Sequence, residues 1–97
     1  MSVSIRRMLV DALKPRETSI MDLSRALCSV NGVEEVDAIV SEVDVKTETI
    51  KITIKGPNIN YSDLTKVMDE YGVAVKGVDE VRIVKTKLSM RLSSTET

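Results

Sequence analysis

The stretch EVDVKTETIKITIKG, Glu42 to Gly56, decides the fold. In its second half Ile50, Ile52 and Ile54 alternate with Lys51, Thr53 and Lys55, and on the approach Ile39, Ser41, Val43 and Val45 alternate with polar or exposed positions. A period of two residues marks a half-buried strand, so the stretch reads as a hairpin. Pairing Val45 with Ile50 across a loop at Lys46 to Thr49 sets Val43 on Ile52 and Ser41 on Ile54, with Asp44 beside Lys51 on the other face. Burial specifies that expected register, because a slip of one residue would turn the isoleucines to the wrong side.

On the N-terminal side, Ile5 to Leu13 reads as a strand with Met8, Val10 and Ala12 on one side and Arg7, Leu9, Asp11 and Leu13 on the other. The pattern leaves open which side is core. Pro15 stops it, Thr18 or Ser19 caps a helix carrying Ile20, Leu23, Leu27 and Val30, and Asn31-Gly32 ends that helix. After the hairpin, Gly56-Pro57 breaks the strand, and Asn60 or Ser62 caps a helix with Leu64, Val67, Met68 and Tyr71 on one stripe, closed by Gly72. Val73 to Lys85 is a last strand, with Gly77 as a bulge. The order strand, helix, strand, strand, helix, strand with right-handed crossovers predicts an α+β ferredoxin-like sandwich: a four-stranded antiparallel sheet in the order 4-1-3-2 with both helices on one face. GVEEV at Gly32 to Val36 recurs as GVDEV at Gly77 to Val81, which fits two related halves or a shared turn requirement equally well.

Composition bounds the function. A chain of 97 residues, 42% hydrophobic, makes one domain, assigned here to residues 1–85. Residues 86–97 form an extension, strand-like to about Leu92 because Leu88, Met90 and Leu92 alternate with Lys87, Ser89 and Arg91, and then a polar tail expected to be mobile. With 14 basic against 15 acidic residues there is no long-range field for nucleic acid, and only Tyr61 and Tyr71 offer aromatic rings, so no stacking platform for bases is expected. No apolar run approaches the ~20 residues of a membrane span, and the lone Cys28 fits a reducing compartment, so the expected location is cytoplasmic. The absence of His removes the commonest general base and metal ligand together. The absence of Gln, only three Asn and 30% charged residues fit a thermophile.

VDALKP at Val10 to Pro15, EVDVKTETIKITIKG at Glu42 to Gly56 and VDEV at Val78 to Val81 together resemble the archaeal family known as domain of unknown function 211, over nearly the whole chain to about Lys85. The resemblance implies a ferredoxin-like fold and homo-oligomers, a ring being one such arrangement. It brings no assigned activity and no catalytic residue.

Three chemistries are weighed on this scaffold. GVEEV followed by a hairpin and LTKVMDEYG is similar to heavy-metal-associated domains, but the loop Lys14-Pro15-Arg16-Glu17-Thr18 lacks their paired thiolates. An acylphosphatase-like hydrolase would use Lys14 and Arg16 before a helix N-terminus to hold an anion, although a Pro-containing loop without Gly makes a poor cradle. A hard-cation site for Ca2+ or Mg2+ would use Asp11, Asp79 and Glu80, or in another grouping Asp11, Glu42 and Asp44, in competition with an ordinary ion-pair row through Lys51. Cys28 reads as a half-buried small side chain, Arg6 and Arg7 as sheet-face or rim charges, and the tyrosines as rings laid on the sheet. Leu9, Leu13 and Val40 are the apolar residues expected on the side of the sheet away from the helices, where another subunit would cover them. The expected function is therefore a non-enzymatic homo-oligomeric domain binding a small ligand or hard cation at a subunit interface, with a purely structural assembly protein as the alternative and the hydrolase as a third reading.

Overall fold

The computed structural model describes residues 2–86, in the order β1 (Ser2–Pro15), α1 (Ile20–Cys28), β2 (Glu35–Val43), β3 (Thr47–Ile59), α2 (Tyr61–Glu70) and β4 (Ala74–Thr86). The strands form one antiparallel sheet in the order β2-β3-β1-β4, the expected order read from the other edge, and the βαββαβ chain is ferredoxin-like. The extension expected over residues 86–97 lies outside the described residues beyond Thr86.

Met8, Val10 and Ala12 settle the sidedness of β1: all three are buried with Ile50, Ile52 and Ile54 of β3 and with Leu23, Leu27, Leu64 and Met68 of the helices. Each fully buried Leu or Ile contributes roughly 1.5–3 kcal/mol relative to exposure, so this layer carries most of the folding drive. Both helices start where a side chain can replace a missing backbone partner. Ser19 accepts from the Asp22 amide at 3.1 Å and Asn60 from the Asp63 amide at 3.2 Å. Helix α2 ends as expected, with Gly72 at φ 73 after the Tyr71 cap. Helix α1 stops earlier than expected, at Cys28, and a further turn intervenes before Gly32 at φ 89. By position it is Gly32-Val33 and Gly72-Val73 that correspond, each following a helix. The GVEEV/GVDEV match is offset from that correspondence, since Gly77 lies inside β4.

Two expectations about the strands are corrected. Gly56-Pro57 does not break β3, which runs on to Ile59. Pro57 falls where the β1 ladder shifts between Arg7↔Lys55 and Ile5↔Ile59, so its missing N–H costs no regular bond there. Gly56 sits against the α1–β2 turn so closely that a Cβ would stand 2.0 Å from the Gly32 carbonyl oxygen, and one on Gly32 would stand 2.0 Å from that of Asn58. Backbone packs on backbone there, which only glycine permits.

The hairpin register is the second correction. Val40 pairs with Ile50, Ala38 with Ile52 and Val36 with Ile54, in place of Val45, Val43 and Ser41, and the loop is Asp44 to Lys46. The shift is odd, so β2 presents its other face: Val36 and Ala38 pack on the core, while Ile39, Val43 and Val45 are 64%, 60% and 80% exposed. The α1 helix lies over β2 and gives Val36 and Ala38 a surface to bury against. At the far end a bulge at Ser41, between Val40 and Glu42, shifts the pairing to Glu42↔Thr49 and Val43↔Glu48. Val40, expected on the open face, therefore lies on the helix side opposite Ile50, and Ile39 takes its place on the open face opposite Lys51.

Candidate functional site

The side of the sheet away from the helices carries the chemistry. One row across it runs Ile39, Lys51, Asp11, Gly77 from β2 to β4. Gly77 has no atom near where a Cβ would be, and one residue of β4 on either side, Lys76 and Asp79, is extra to the β1 ladder. The expected bulge is thus two bulges flanking Gly77. The second swings Asp79 towards Lys51, whose ammonium lies 3.2 Å from Asp79 Oδ2 and 3.6 Å from Asp11 Oδ1. Its hydrogen bond to Asp79, joined by the charges of Asp11 and Asp79, outweighs desolvation and raises the Lys51 pKa above the ordinary 10.5. Asp11 Oδ1 is buried and accepts no hydrogen bond.

Of the acidic residues read from the sequence as cation ligands, Asp11 and Asp79 come together, but around Lys51. Glu80 is drawn away to an ion pair with Arg7. In the other grouping, Asp44 does not lie beside Lys51, because the register sets Ile39 there, and Glu42 belongs to the next row. Among the described residues no group of three or more acidic or thiol side chains stands where it could hold a metal ion.

In that next row, Glu42, Thr49, Leu13, Ala74, the first three line a half-open trough of about 480 Å³. Glu42 and Asp44 stand at its β2 end, Thr47 and Thr49 along β3, and Lys76 at its β4 end. None of Glu42, Asp44 and Lys76 makes an ion pair among the described residues, so charges of both signs face one cavity of ligand size. The threonines and Lys76 were not legible as a site, because four different strands supply the lining. The only linear hint was a Lys beside the bulge at Gly77.

Lys14 and Arg16 do not form an anion cradle. Arg16 is exposed, whereas Lys14 is 1% exposed, and its ammonium donates to the Pro15 carbonyl at 2.9 Å and the Thr18 carbonyl at 2.6 Å and meets Glu48 at 2.8 Å. Three donors have three acceptors, leaving none for phosphate. Cys28, expected half-buried, is exposed, with its thiol 3.7 Å from the Glu34 carbonyl. Tyr61 and Tyr71 pack against the core as expected.

The family described as Uncharacterized ArCR, domain of unknown function 211, matches this chain over residues 6–93. The chain belongs to that family. The chain is also similar to an uncharacterised protein of Methanocaldococcus jannaschii, 35% identical over 77 residues, covering 79% of each chain. The matched range of the domain-211 family takes in every residue of the trough and of the Lys51 row.

Proposed function

We propose that this domain acts by self-association and by binding a small polar ligand on the open face of its sheet, without turning a substrate over. The trough carries the reading: Glu42 and Asp44 at one end, Lys76 at the other and two threonines between them match a compact molecule bearing both an ammonium and an acidic group. Leu9, Leu13 and Ile39 lie on the same face, the two leucines half-buried and Ile39 well exposed, and a second copy would cover them. The hydrolase reading loses its anion-holding lysine to Pro15, Thr18 and Glu48. Cation binding at Asp11 and Asp79 would first have to displace Lys51.

Native mass spectrometry of the purified protein tests both parts. A species of several chains is expected, carrying a small extra mass that is lost when Thr47 and Thr49 are both replaced by Val while the number of chains is kept. A bare monomer at micromolar concentration would end the reading.

A further inference from the structure

The two edges of the sheet, β2 and β4, carry opposite charge. Strand β2 and its two ends hold Glu34, Glu35, Asp37, Glu42 and Asp44 and no base. Strand β4 holds Lys76, Arg82 and Lys85, and its own two acids are already neutralised, Asp79 by Lys51 and Glu80 by Arg7. Among the described residues none of the five β2 acids and none of the three β4 bases makes an ion pair. Charges on an edge strand usually keep other strands away, but opposite charges on the two edges of one chain repel like edges and attract unlike ones. Each edge also leaves apolar surface uncovered on the helix side: Val40 is 38% exposed on β2, and Val78, Val81 and Ile83 are 41%, 48% and 55% exposed on β4.

We propose that β4 of one copy adds to β2 of the next, continuing the sheet head to tail with the helices on the same side. This rests on the self-association reading and adds to the open-face contact a second one, along the sheet edges. Direction agrees: β2 runs with β1 and β4 runs against it, so copies laid side by side in the same orientation bring β4 and β2 together antiparallel. Register agrees as well. The stretches free of bulges are Glu35 to Val40 on β2 and Glu80 to Thr86 on β4, the shift at Ile5/Arg7 falling on β1. Setting Arg82 opposite Asp37 on the open face puts Ile83 on Val36 and Val81 on Ala38 on the helix side, with Lys85 opposite Glu34. Charge, apolar face and strand direction are satisfied by one alignment. The contact is heterologous, so it propagates to a ring or a filament and does not stop at a dimer.

The test uses charge reversal in the full chain. Glu34→Lys with Asp37→Lys sets lysines against Arg82 and Lys85 of the next copy; Arg82→Glu with Lys85→Glu sets acids against Glu34 and Asp37 of the next copy. All four side chains are exposed, and circular dichroism checks that each variant stays folded. Each variant alone is expected to fall to species of fewer chains, and a one-to-one mixture is expected to regain the wild-type size in species containing equal numbers of the two. In a Cys28→Ser background, Asp37→Cys with Arg82→Cys should form intermolecular disulfides on oxidation. If each variant alone keeps the wild-type number of chains, or the cysteines do not cross-link copies, the edge contact is overturned while self-association stands. If the wild type is itself a monomer, both fall.

Discussion

Lys14 is the residue whose role departs furthest from its appearance. A lysine between Leu13 and Pro15 at the end of a strand reads as a solvated charge, yet its side chain is 2% exposed and its ammonium ties the β1–α1 loop to Glu48 at the start of β3. Nothing local in the sequence distinguishes the two cases. The distinction comes from the register Lys14↔Glu48, which places an acid across the ladder, and from the turn that folds the Thr18 carbonyl back over the strand end. Removing one partner of a buried pair strands the other, whereas removing both leaves a gap that apolar atoms can fill. Lys14→Met is therefore expected to lower the unfolding free energy in urea by about 3 kcal/mol, and Lys14→Met with Glu48→Leu to lower it by less. A double variant as unstable as the sum of the single ones would show that the two side chains are not coupled.

Among the elements, β1, β3 and both helices were legible and β2 was not, for a physical reason. On β3 the isoleucines occupy a single parity and leave no choice of face. On β2, Val36, Ala38 and Val40 occupy one parity while Ile39, Val43 and Val45 occupy the other, so alternation alone supports two registers. Packing under α1 and the bulge at Ser41 choose between them, and neither is local to the hairpin. The same long-range dependence shaped the Lys51 row: its pairing with Asp11 across β1 was foreseen, while Asp79 replaced Asp44 because the β4 bulges could not be counted from sequence. Lys51 thereby links β3 to β4 over β1. Its pKa is raised in the fold, so the folded state holds this proton more tightly than the unfolded chain. The stabilisation is full below the unfolded value of 10.5 and fades as pH climbs through the higher folded value. Thermal melts across about pH 9 to 12 should show wild type above Lys51→Met at the low end and the two converging at the high end. A gap independent of pH would mean that Lys51 acts through packing of its stem.

At the scale of the whole molecule, the βαββαβ order and the right-handed crossovers sufficed to derive the sheet, because few topologies satisfy them. What lay beyond sequence was the polarity of that sheet, with acids gathered at the β2 edge and, at the β4 edge, bases that pair with no acid among the described residues, in a chain whose net charge is only −1. Such a chain has almost no long-range field but a large lateral separation of charge. The proposed association should therefore be steered at short range and weaken with salt, since the screening length falls from about 10 Å at 0.1 M to about 3 Å at 1 M. A partner copy that binds only the folded chain raises apparent stability by mass action, so the thermal midpoint should rise with protein concentration. That rise is expected to be steep at low salt and nearly flat near 1 M salt, while the far-ultraviolet spectrum stays unchanged. The apolar residues of the same edges, Val78, Val81 and Ile83, respond in the opposite sense, because salting-out strengthens apolar contact. Differential scanning fluorimetry at several protein concentrations and two salt concentrations separates these contributions. A midpoint whose concentration dependence grows with salt would assign the contact to the valines and isoleucine and remove the charged edges from its cause.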